Sequence, residues 1–353
     1  MSIKPKAKKK LKNSFFMAEN RTPHEVNEKK YLIDILNPTA KNTKYHETPP
    51  NNKISNIQIG RILLQTHQII SLVNSLGYSF KDKNFLDIGC GNGMIPRLIS
   101  SLTSVKYSYG IDPYLDGEHT TSWPKHNQFK VFTKIIKFLS KDKFLDFTSY
   151  KKFLSFENFT LQPKTEKIKI KKNYHYIFKK ISGLNLDKLK IKFDIIYLKS
   201  IEHFNQWDKL FNKLKITTNK GALVIFKHRS FYSYLGPHRY SSTTIPWGHL
   251  TLSEKDYKKY VNQFHKDRYD EMVNFYYKGL TYPRNTVGDL IKLATANSFC
   301  IKYISIEPPH YRKKTHLFIT KINNFWSKIN KNHPNVSSEE VLSGIYHIVL
   351  EKI

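Results

Sequence analysis

The sequence predicts an α/β fold in which a seven-stranded, mainly parallel sheet carries helices on both faces and ends in an antiparallel strand. Two patterns support this prediction. Short apolar runs typical of buried strands alternate with segments whose apolar residues recur at helical spacing. The last strand-like run is expected to return beside its predecessor as a hairpin partner, which makes it antiparallel.

In chain order, the runs predicted as strands are FLDI, VKYSYGIDP, YHYIF, FDIIYLK, GALVIF, FCIKYISIE and GIYHIVLEK. Helices are predicted from the apolar stripe of ISNIQIGRILLQTHQIISLVNS, which Gly77 follows as a stop signal, and from MIPRLISSL and FNQWDKLFNKLKI. Two further helices are expected to begin at the capping boxes Ser253–Asp256 and Thr286–Asp289. The sequence contains no internal repeat.

The chain is expected to divide into a basic, flexible N-terminal arm over residues 1–50 and a larger domain over residues 51–353. One short helix is expected in the arm near Lys29–Leu36. Two segments interrupt the alternation of strands and helices in the domain. An aromatic and lysine-rich insertion at about 115–172 is predicted to be partly helical, and residues 228–284 are predicted to form a lid over the substrate.

Composition limits the classes of partner and compartment. The net charge of +31 would suit a polyanion, but only eight of the 59 basic residues are arginine and the lysines are dispersed, so we interpret most of the charge as solvated surface. No apolar stretch is long enough to span a bilayer, and no export signal is recognised. Two cysteines cannot build a disulfide framework or a four-thiolate zinc site, so a reducing cytoplasm is the expected location.

The stretch NFLDIGCGNGMIPRL is the most informative part of the sequence. Glycines directly after a parallel strand let a ligand approach the backbone, and an acid about 20 residues later suits the hydroxyls of a ribose. Asp112 stands 19 residues after Gly93, which indicates a ligand that contains a nucleoside. The G-x-G-x-x-G fingerprint of NAD and FAD proteins is absent, because Met94 and Pro96 occupy its third glycine position, and no phosphate-binding G-x-x-x-x-G-K-[ST] loop occurs.

The segment Leu86–Gly93 closely resembles the first motif of class I S-adenosylmethionine-dependent methyltransferases. Gly110–Asp112 resembles the second motif of that family, and Phe193–Ile196 followed by Ser200–His203 resembles the fourth, in the branch with a Glu-His turn after strand four. Asn219–Leu223 resembles the turn before strand five. The resemblance covers about residues 56–350 apart from the insertion, and it implies a Rossmann-like fold.

The resemblance also implies S-adenosyl-L-methionine as cofactor and a set of residues that bind it. Gly89, Gly91 and Gly93 would line the methionine moiety, Asp87 would help to hold its ammonium group, and Asp112 would bind the ribose. The turn residues Cys90 and Asn92, together with Lys199 after strand four, are expected to complete the cofactor site. The acid that many members place after strand three is missing, and Ser182 or Asn185 is expected to contact the adenine instead.

Candidate groups for the acceptor side follow strands four and five, which end beside the cofactor in an open parallel sheet. The candidate bases are His203, His228 and His249, and the candidate acceptor-binding residues are Arg229, His238, Arg239 and Trp247. Each histidine also has a structural interpretation, and for His203 that is a helix cap or packing under the loop. No metal site is expected, since the spacings between His228, His238 and His249 lack a tight pair.

The leading prediction is an S-adenosylmethionine-dependent methyltransferase that acts on an oxygen or nitrogen of a small molecule. The aromatic residues of the lid could enclose such an acceptor. The turn that methylases of exocyclic nucleobase amines carry after strand four is absent, and no cysteine lies near strands four and five for pyrimidine carbon 5 chemistry. Two alternatives remain: a methyltransferase of RNA or another polyanion, and a non-catalytic binding protein on the same fold.

Overall fold

A computed structural model gives the structure of the chain, and its described residues fall into two compact units. The larger unit comprises residues 43–229, 287–307 and 345–353, and the smaller unit comprises residues 1–42, 230–286 and 308–344. The residues that the structure describes are 14–17, 23–26, 56–91, 93–113, 144–145, 168–169, 176–199, 201–233, 236, 243, 245, 247–266, 269–278, 284–307 and 324–353.

The larger unit is built on a seven-stranded sheet, which confirms the predicted fold class. Its strands are β1 (Asn84–Ile88), β2 (Tyr107–Ile111), β3 (Tyr176–Lys179), β4 (Phe193–Leu198), β5 (Thr218–His228), β6 (Phe299–Ile306) and β7 (Tyr346–Lys352). They lie in the order β6-β7-β5-β4-β1-β2-β3. Strands β1 to β5 pair in parallel, whereas β7 lies antiparallel to both β5 and β6. The carboxyl ends of the parallel strands therefore share one edge of the sheet.

The described helices of both units are α1 (Asn56–Ser75), α2 (Met94–Leu102), α3 (Trp207–Thr217), α4 (Gly248–Thr251), α5 (Glu254–Phe264), α6 (Tyr269–Lys278), α7 (Val287–Ala296), α8 (Phe325–Asn332) and α9 (Ser338–Leu342). The capping box at Ser253 is confirmed: its hydroxyl accepts a hydrogen bond from the backbone N–H of Asp256 and begins α5. Helix α7 begins directly after Thr286. No helix among these residues has the length and apolar character needed to cross a membrane.

The sheet separates two apolar cores because successive side chains of a strand point to opposite faces. On one face, Phe85 of β1 and Ile225 of β5 pack in a cluster with α1 and α2. On the other face, Leu86 and Phe226 pack in a cluster with α3 and α7. Residues 193–198 and 222–226 are almost wholly buried, as expected for central strands of a sheet covered on both sides.

The smaller unit has an aromatic core of its own. The rings of Tyr257 and Tyr276 stack with centroids 4.1 Å apart, and the ring of Trp247 meets that of Phe325 edge to face at 5.3 Å. The Trp247 indole N–H donates to the backbone oxygen of Val341, so a polar group in this core is paired. Helices α4, α5, α6, α8 and α9 all contribute to this core, which is a third hydrophobic cluster beside the two that flank the sheet.

Two predicted segments have little or no described structure. In the arm, Ser14–Met17 and Pro23–Val26 form an antiparallel pair that the sequence did not predict, because four-residue strands are too short to show a reliable period. The expected helix at Lys29–Leu36 lies outside the described residues. In the insertion, the structure describes only the antiparallel pair Phe144–Leu145 and Ile168–Lys169.

Candidate functional site

The turn after β1 brings bare backbone to the carboxyl edge of the sheet. Gly89, Gly91 and Gly93 all have positive φ, at 73°, 54° and 72°. A Cβ atom built on Gly89 or Gly91 would meet no atom within 4 Å, so open space lies beside both residues. The backbone N–H groups of Gly89 and Cys90 donate to the carbonyl of Ile111 at 2.9 and 3.0 Å, which ties this glycine turn to the end of β2.

Asp112 lies at the end of β2 and faces the glycine turn. Its Oδ2 atom accepts a hydrogen bond of 3.0 Å from the backbone N–H of Gly91, and the residue is 5% exposed. A carboxylate has about four acceptor positions, so it can bind this N–H and still accept hydrogen bonds from a ligand. The spacing between the glycines and this acid, noted in the sequence, therefore corresponds to a direct contact.

Asp87 is a buried acid within β1. It is 3% exposed, and burial raises the pKa of its carboxyl to about 8, with the Asp112 charge adding to the increase and the Lys199 charge opposing it. A carboxyl with this pKa is mostly protonated at neutral pH. Binding of a cation beside Asp87 would favour the ionised form of its carboxyl.

Tyr176 of β3 supports the glycine turn from the edge of the sheet. A Cβ atom built on Gly93 would lie 2.1 Å from the Tyr176 hydroxyl oxygen, and one built on Gly110 would lie 3.0 Å from it. The Arg97 guanidinium lies 4.9 Å from the centre of the Tyr176 ring. Both glycines are therefore needed to make room for this tyrosine, a contact that the sequence analysis did not identify.

The end of β4 lies beside β1 and carries Lys199. This residue is exposed, but surrounding protein atoms and the nearby charges of Lys227 and Arg229 lower the pKa of its ammonium group.

The buried Tyr197 hydroxyl accepts a hydrogen bond of 2.9 Å from the Gln65 side chain. Burial and the charges of Asp87 and Glu202 raise the Tyr197 pKa, so both carboxylates act on this one hydroxyl.

Glu202 and His228 form a pair at the ends of β4 and β5. His228 Nδ1 lies 3.2 Å from Glu202 Oε2, and the ring packs edge to face against Trp207 with centroids 5.8 Å apart. The Trp207 indole N–H donates to the carbonyl of Ile201, which fixes the short 3-10 turn Ile201–His203. His228 was predicted as a candidate base and Glu202 belongs to the Glu-His turn, but no pattern in the sequence indicates that they pair.

A second carboxylate–imidazole pair lies where β6 ends and β7 begins. Glu307 Oε1 is 2.6 Å from His347 Nε2 and 3.8 Å from Lys227 Nζ. The hydrogen bond with His347 lowers the pKa of Glu307, and the charges of Lys227 and His347 lower it further. Burial acts in the opposite direction but is outweighed.

The structure places several other candidate residues of the sequence analysis at or near the same edge. The Ser182 hydroxyl accepts a hydrogen bond from the backbone N–H of Leu184 and caps the 3-10 helix Gly183–Leu189. His203 and Arg229 are half-buried. Cys90 is half-buried and burial raises its pKa, which disfavours a thiolate. Asn92, His238 and Arg239 lie outside the described residues.

His249 and Trp247 belong to the buried core of the smaller unit. His249 Nε2 lies 3.0 Å from the backbone oxygen of Phe231, and burial, followed by the charges of His333 and Arg284, lowers its pKa to about 3. Trp247 is 1% exposed. Both positions have the packing and hydrogen bonds expected of structural residues, while their predicted roles toward an acceptor stay predictions. Within the described ranges, no three His, Cys, Asp or Glu side chains cluster as metal ligands would.

A family model described as a methyltransferase domain matches residues 63–274. Protein arginine N-methyltransferase 1 of Chlamydomonas reinhardtii is 36% identical over 74 residues, a match that spans only 21% of this chain and 21% of that relative. Magnesium protoporphyrin IX methyltransferase of Synechocystis PCC 6803 is a structural neighbour with TM-score 0.41 and 10% identity, over 92% of this chain and 97% of that one. Phosphoethanolamine N-methyltransferase 2 of Haemonchus contortus is another structural neighbour, with TM-score 0.40 and 14% identity. The match covers 88% of this chain and 61% of that one.

Proposed function

Since this chain belongs to the methyltransferase-domain family, we propose that it binds S-adenosyl-L-methionine and methylates an oxygen or nitrogen atom of a small-molecule acceptor. The observation that carries the proposal is the pairing of the open glycine turn with the Asp112 carboxylate, which bonds to the backbone N–H of Gly91. The proposed site lies at the carboxyl edge of the parallel strands, where ligands bind in open α/β sheets.

The residues present fit this cofactor. The open space beside Gly89 and Gly91 can admit a ligand against the backbone, and Asp112 can accept hydrogen bonds from the two ribose hydroxyls. Asp87 offers a buried carboxyl for the ammonium group of the methionine moiety. The cofactor is therefore proposed to be held by these four residues together with Gly93, Cys90, Asn92, Ser182 and Lys199.

The chemistry divides simply between cofactor and protein. When bound, the cofactor would supply an activated methyl group; the acceptor lone pair would take this methyl group, the sulfur would keep the electron pair of the broken bond, and the acceptor proton would pass to solvent. The protein aligns the acceptor with that methyl group and excludes water. The half-buried His203 and Arg229, at the ends of β4 and β5, are proposed to face the acceptor, and His228 is proposed to support this region from beneath.

A binding experiment tests the proposed function directly. We expect S-adenosylhomocysteine to bind the purified protein in isothermal titration calorimetry, and Gly91→Asp to abolish that binding, because the new carboxylate would fill the open space and repel Asp112. Gly221→Asp is the matched control. Gly221 also has positive φ and no atom within 4 Å of a built Cβ, but it lies near the amino end of β5, away from the proposed site.

The two variants carry the same strain from positive φ, so a difference between them reports the site itself. Binding that is retained in folded Gly91→Asp, or absent from folded wild-type protein, would contradict the proposal. Methylation of RNA in preference to small molecules would contradict the proposed acceptor class alone.

The raised pKa of Asp87 predicts that cofactor binding depends on pH. At pH 6 the carboxyl is protonated and must ionise to pair with an ammonium group, so affinity for S-adenosylhomocysteine should rise at least ~10-fold from pH 6 to 8, with up to one proton released near pH 7. Titrations in two buffers with different ionisation enthalpies measure that proton. Asp87→Asn should bind more weakly at pH 8 and lose the pH dependence.

The stability of the unliganded protein provides an independent readout of the same group. A carboxyl whose pKa is raised on folding contributes stability below its unfolded pKa, and this contribution is lost as pH rises from about 4 towards 8. Asp87→Asn should therefore raise the melting temperature relative to wild type more at pH 8 than at pH 5. An equal change in melting temperature at pH 5 and pH 8 would contradict the assignment of a raised pKa to Asp87.

A further inference from the structure

The carboxylate–imidazole pair of Glu202 and His228 presents its two members to very different surroundings. The His228 side chain is 1% exposed, and its Nε2 atom is buried without a hydrogen-bond partner among the described residues. The Glu202 side chain keeps 21% of its surface exposed. The carboxylate is thus the member of the pair that a ligand at this edge can reach.

The surroundings also fix the charge of Glu202. Burial acts to raise its pKa, but the hydrogen bond from His228 and the charges of His228 and His203 lower it on balance. An ionised carboxylate can only accept, so His228 must carry its proton on Nδ1 and donate it to Glu202. His228 in turn is held by the ring of Trp207.

Glu202 follows a strand that lies next to the strand leading into the glycine turn. Strand β4, which leads into Glu202, pairs with β1, which carries Asp87 and leads into the glycine turn. The charges of Asp87 and Glu202 both raise the pKa of Tyr197, which pairs with Asp87 across the two strands. Glu202 therefore follows the strand next to β1 on its β5 side, whereas Asp112 follows the strand next to β1 on the other side.

We propose that Glu202 accepts a hydrogen bond from the acceptor, that the acceptor atom is an amine nitrogen, and that His228 is the residue that positions Glu202. This inference rests on the proposed function and resolves its choice between oxygen and nitrogen. A nitrogen becomes positively charged as it takes a methyl group, and a fixed carboxylate beside it stabilises that developing charge.

An alcohol acceptor would need different surroundings. It must lose a proton as it is methylated, which calls for a reachable base with a pKa near neutrality. The pair of Glu202 and His228 does not meet this need. The His228 Nε2 atom, which could act as a base, is enclosed, and the reachable group is the weakly basic, ionised carboxylate of Glu202. An amine in its neutral form needs no base before it attacks, since its proton can leave for solvent afterwards.

The test uses sinefungin, a cofactor analogue that carries an ammonium group where the methylsulfonium would be. S-adenosylhomocysteine has no charge at that position and serves as the reference in each variant. We expect wild-type protein to bind sinefungin at least ~10-fold more tightly than S-adenosylhomocysteine, as a charge-assisted hydrogen bond would give. Glu202→Gln should reduce this preference to about twofold or less.

The control is Glu307→Gln, which alters the other carboxylate–imidazole pair and should leave the preference unchanged. His228→Phe keeps a ring but removes the donor, and should lower the preference, whereas His228→Asn keeps a donor near the position of Nδ1 and should restore it in part. This rescue separates positioning of the carboxylate from simple packing. Glu202→Ala, which also removes the carboxylate, provides a second variant if Glu202→Gln is poorly folded.

The outcomes of this test are distinct from those of the proposed function. If neither ligand binds folded wild-type protein, the proposed function fails. If S-adenosylhomocysteine binds but sinefungin binds no more tightly, or if the preference survives in every folded Glu202 variant, the inference about the amine acceptor is overturned while the cofactor assignment stands.

Discussion

Asp112→Ala is expected to weaken binding of S-adenosylhomocysteine at least ~100-fold, which corresponds to about 2.7 kcal/mol. Two hydrogen bonds from ribose hydroxyls to a carboxylate would account for this loss, since bonds to charged groups contribute about 1.5–3 kcal/mol each. The substitution also removes the acceptor for the backbone N–H of Gly91, so the glycine turn loses a hydrogen bond that holds it in place. Isothermal titration calorimetry measures the change.

Asp112→Asn separates these two contributions. Asparagine keeps a side-chain oxygen that can accept from the Gly91 N–H, but it lacks the negative charge and one acceptor, so an intermediate loss of about 10-fold is expected. Thermal unfolding without ligand checks that both variants are folded. Affinity within threefold of wild type in folded Asp112→Ala would refute the proposed ribose contact.

Gly93→Ala is expected to destabilise the protein by about 2–4 kcal/mol, which combines backbone strain at positive φ with overpacking against Tyr176. The built Cβ atom lies 2.1 Å from the tyrosine hydroxyl oxygen and 2.9 Å from Cζ, so the ring must move. Gly77→Ala is the matched control, because Gly77 has φ of 81° and no atom within 4 Å of a built Cβ. It should cost only about 1 kcal/mol of strain.

A double-mutant cycle with Tyr176→Phe isolates the steric part. Removing the hydroxyl takes away the nearest atom, so Gly93→Ala should cost at least ~1 kcal/mol less in the Tyr176→Phe background than in wild type. Urea unfolding gives the four free energies. Additive effects, or equal losses for Gly93→Ala and Gly77→Ala, would show that the contact does not restrict position 93.

Much of the fold could be predicted because the signals are local. Each of the seven sheet strands overlaps a run that is apolar enough to be recognised in isolation, such as FDIIYLK, and the cap of α5 needs only Ser253 and Asp256. The contact between Asp112 and the glycine turn was also foreseeable, since parallel strands next to each other end at the same edge.

The remaining features depend on residues far apart in the sequence. Glu202 and His228 are 26 positions apart, and Tyr176 is 83 positions after Gly93, so no periodicity connects either pair. The smaller unit combines three separate stretches of chain, and the sequence suggested only the middle one, as a lid. Such contacts arise from tertiary packing, which a pattern of single residues does not encode.

The edge-to-face contact between Trp207 and His228 has a practical consequence. The emission of an indole depends on the groups that contact its ring, so the fluorescence of Trp207 should respond to changes at His228. Trp247 is enclosed in the core of the smaller unit and Trp326 is 37% exposed, so substituting the tryptophans other than Trp207 would leave one optical signal at the end of β5. Light emitted from that indole could then follow the arrival of an acceptor in real time, before its identity is known.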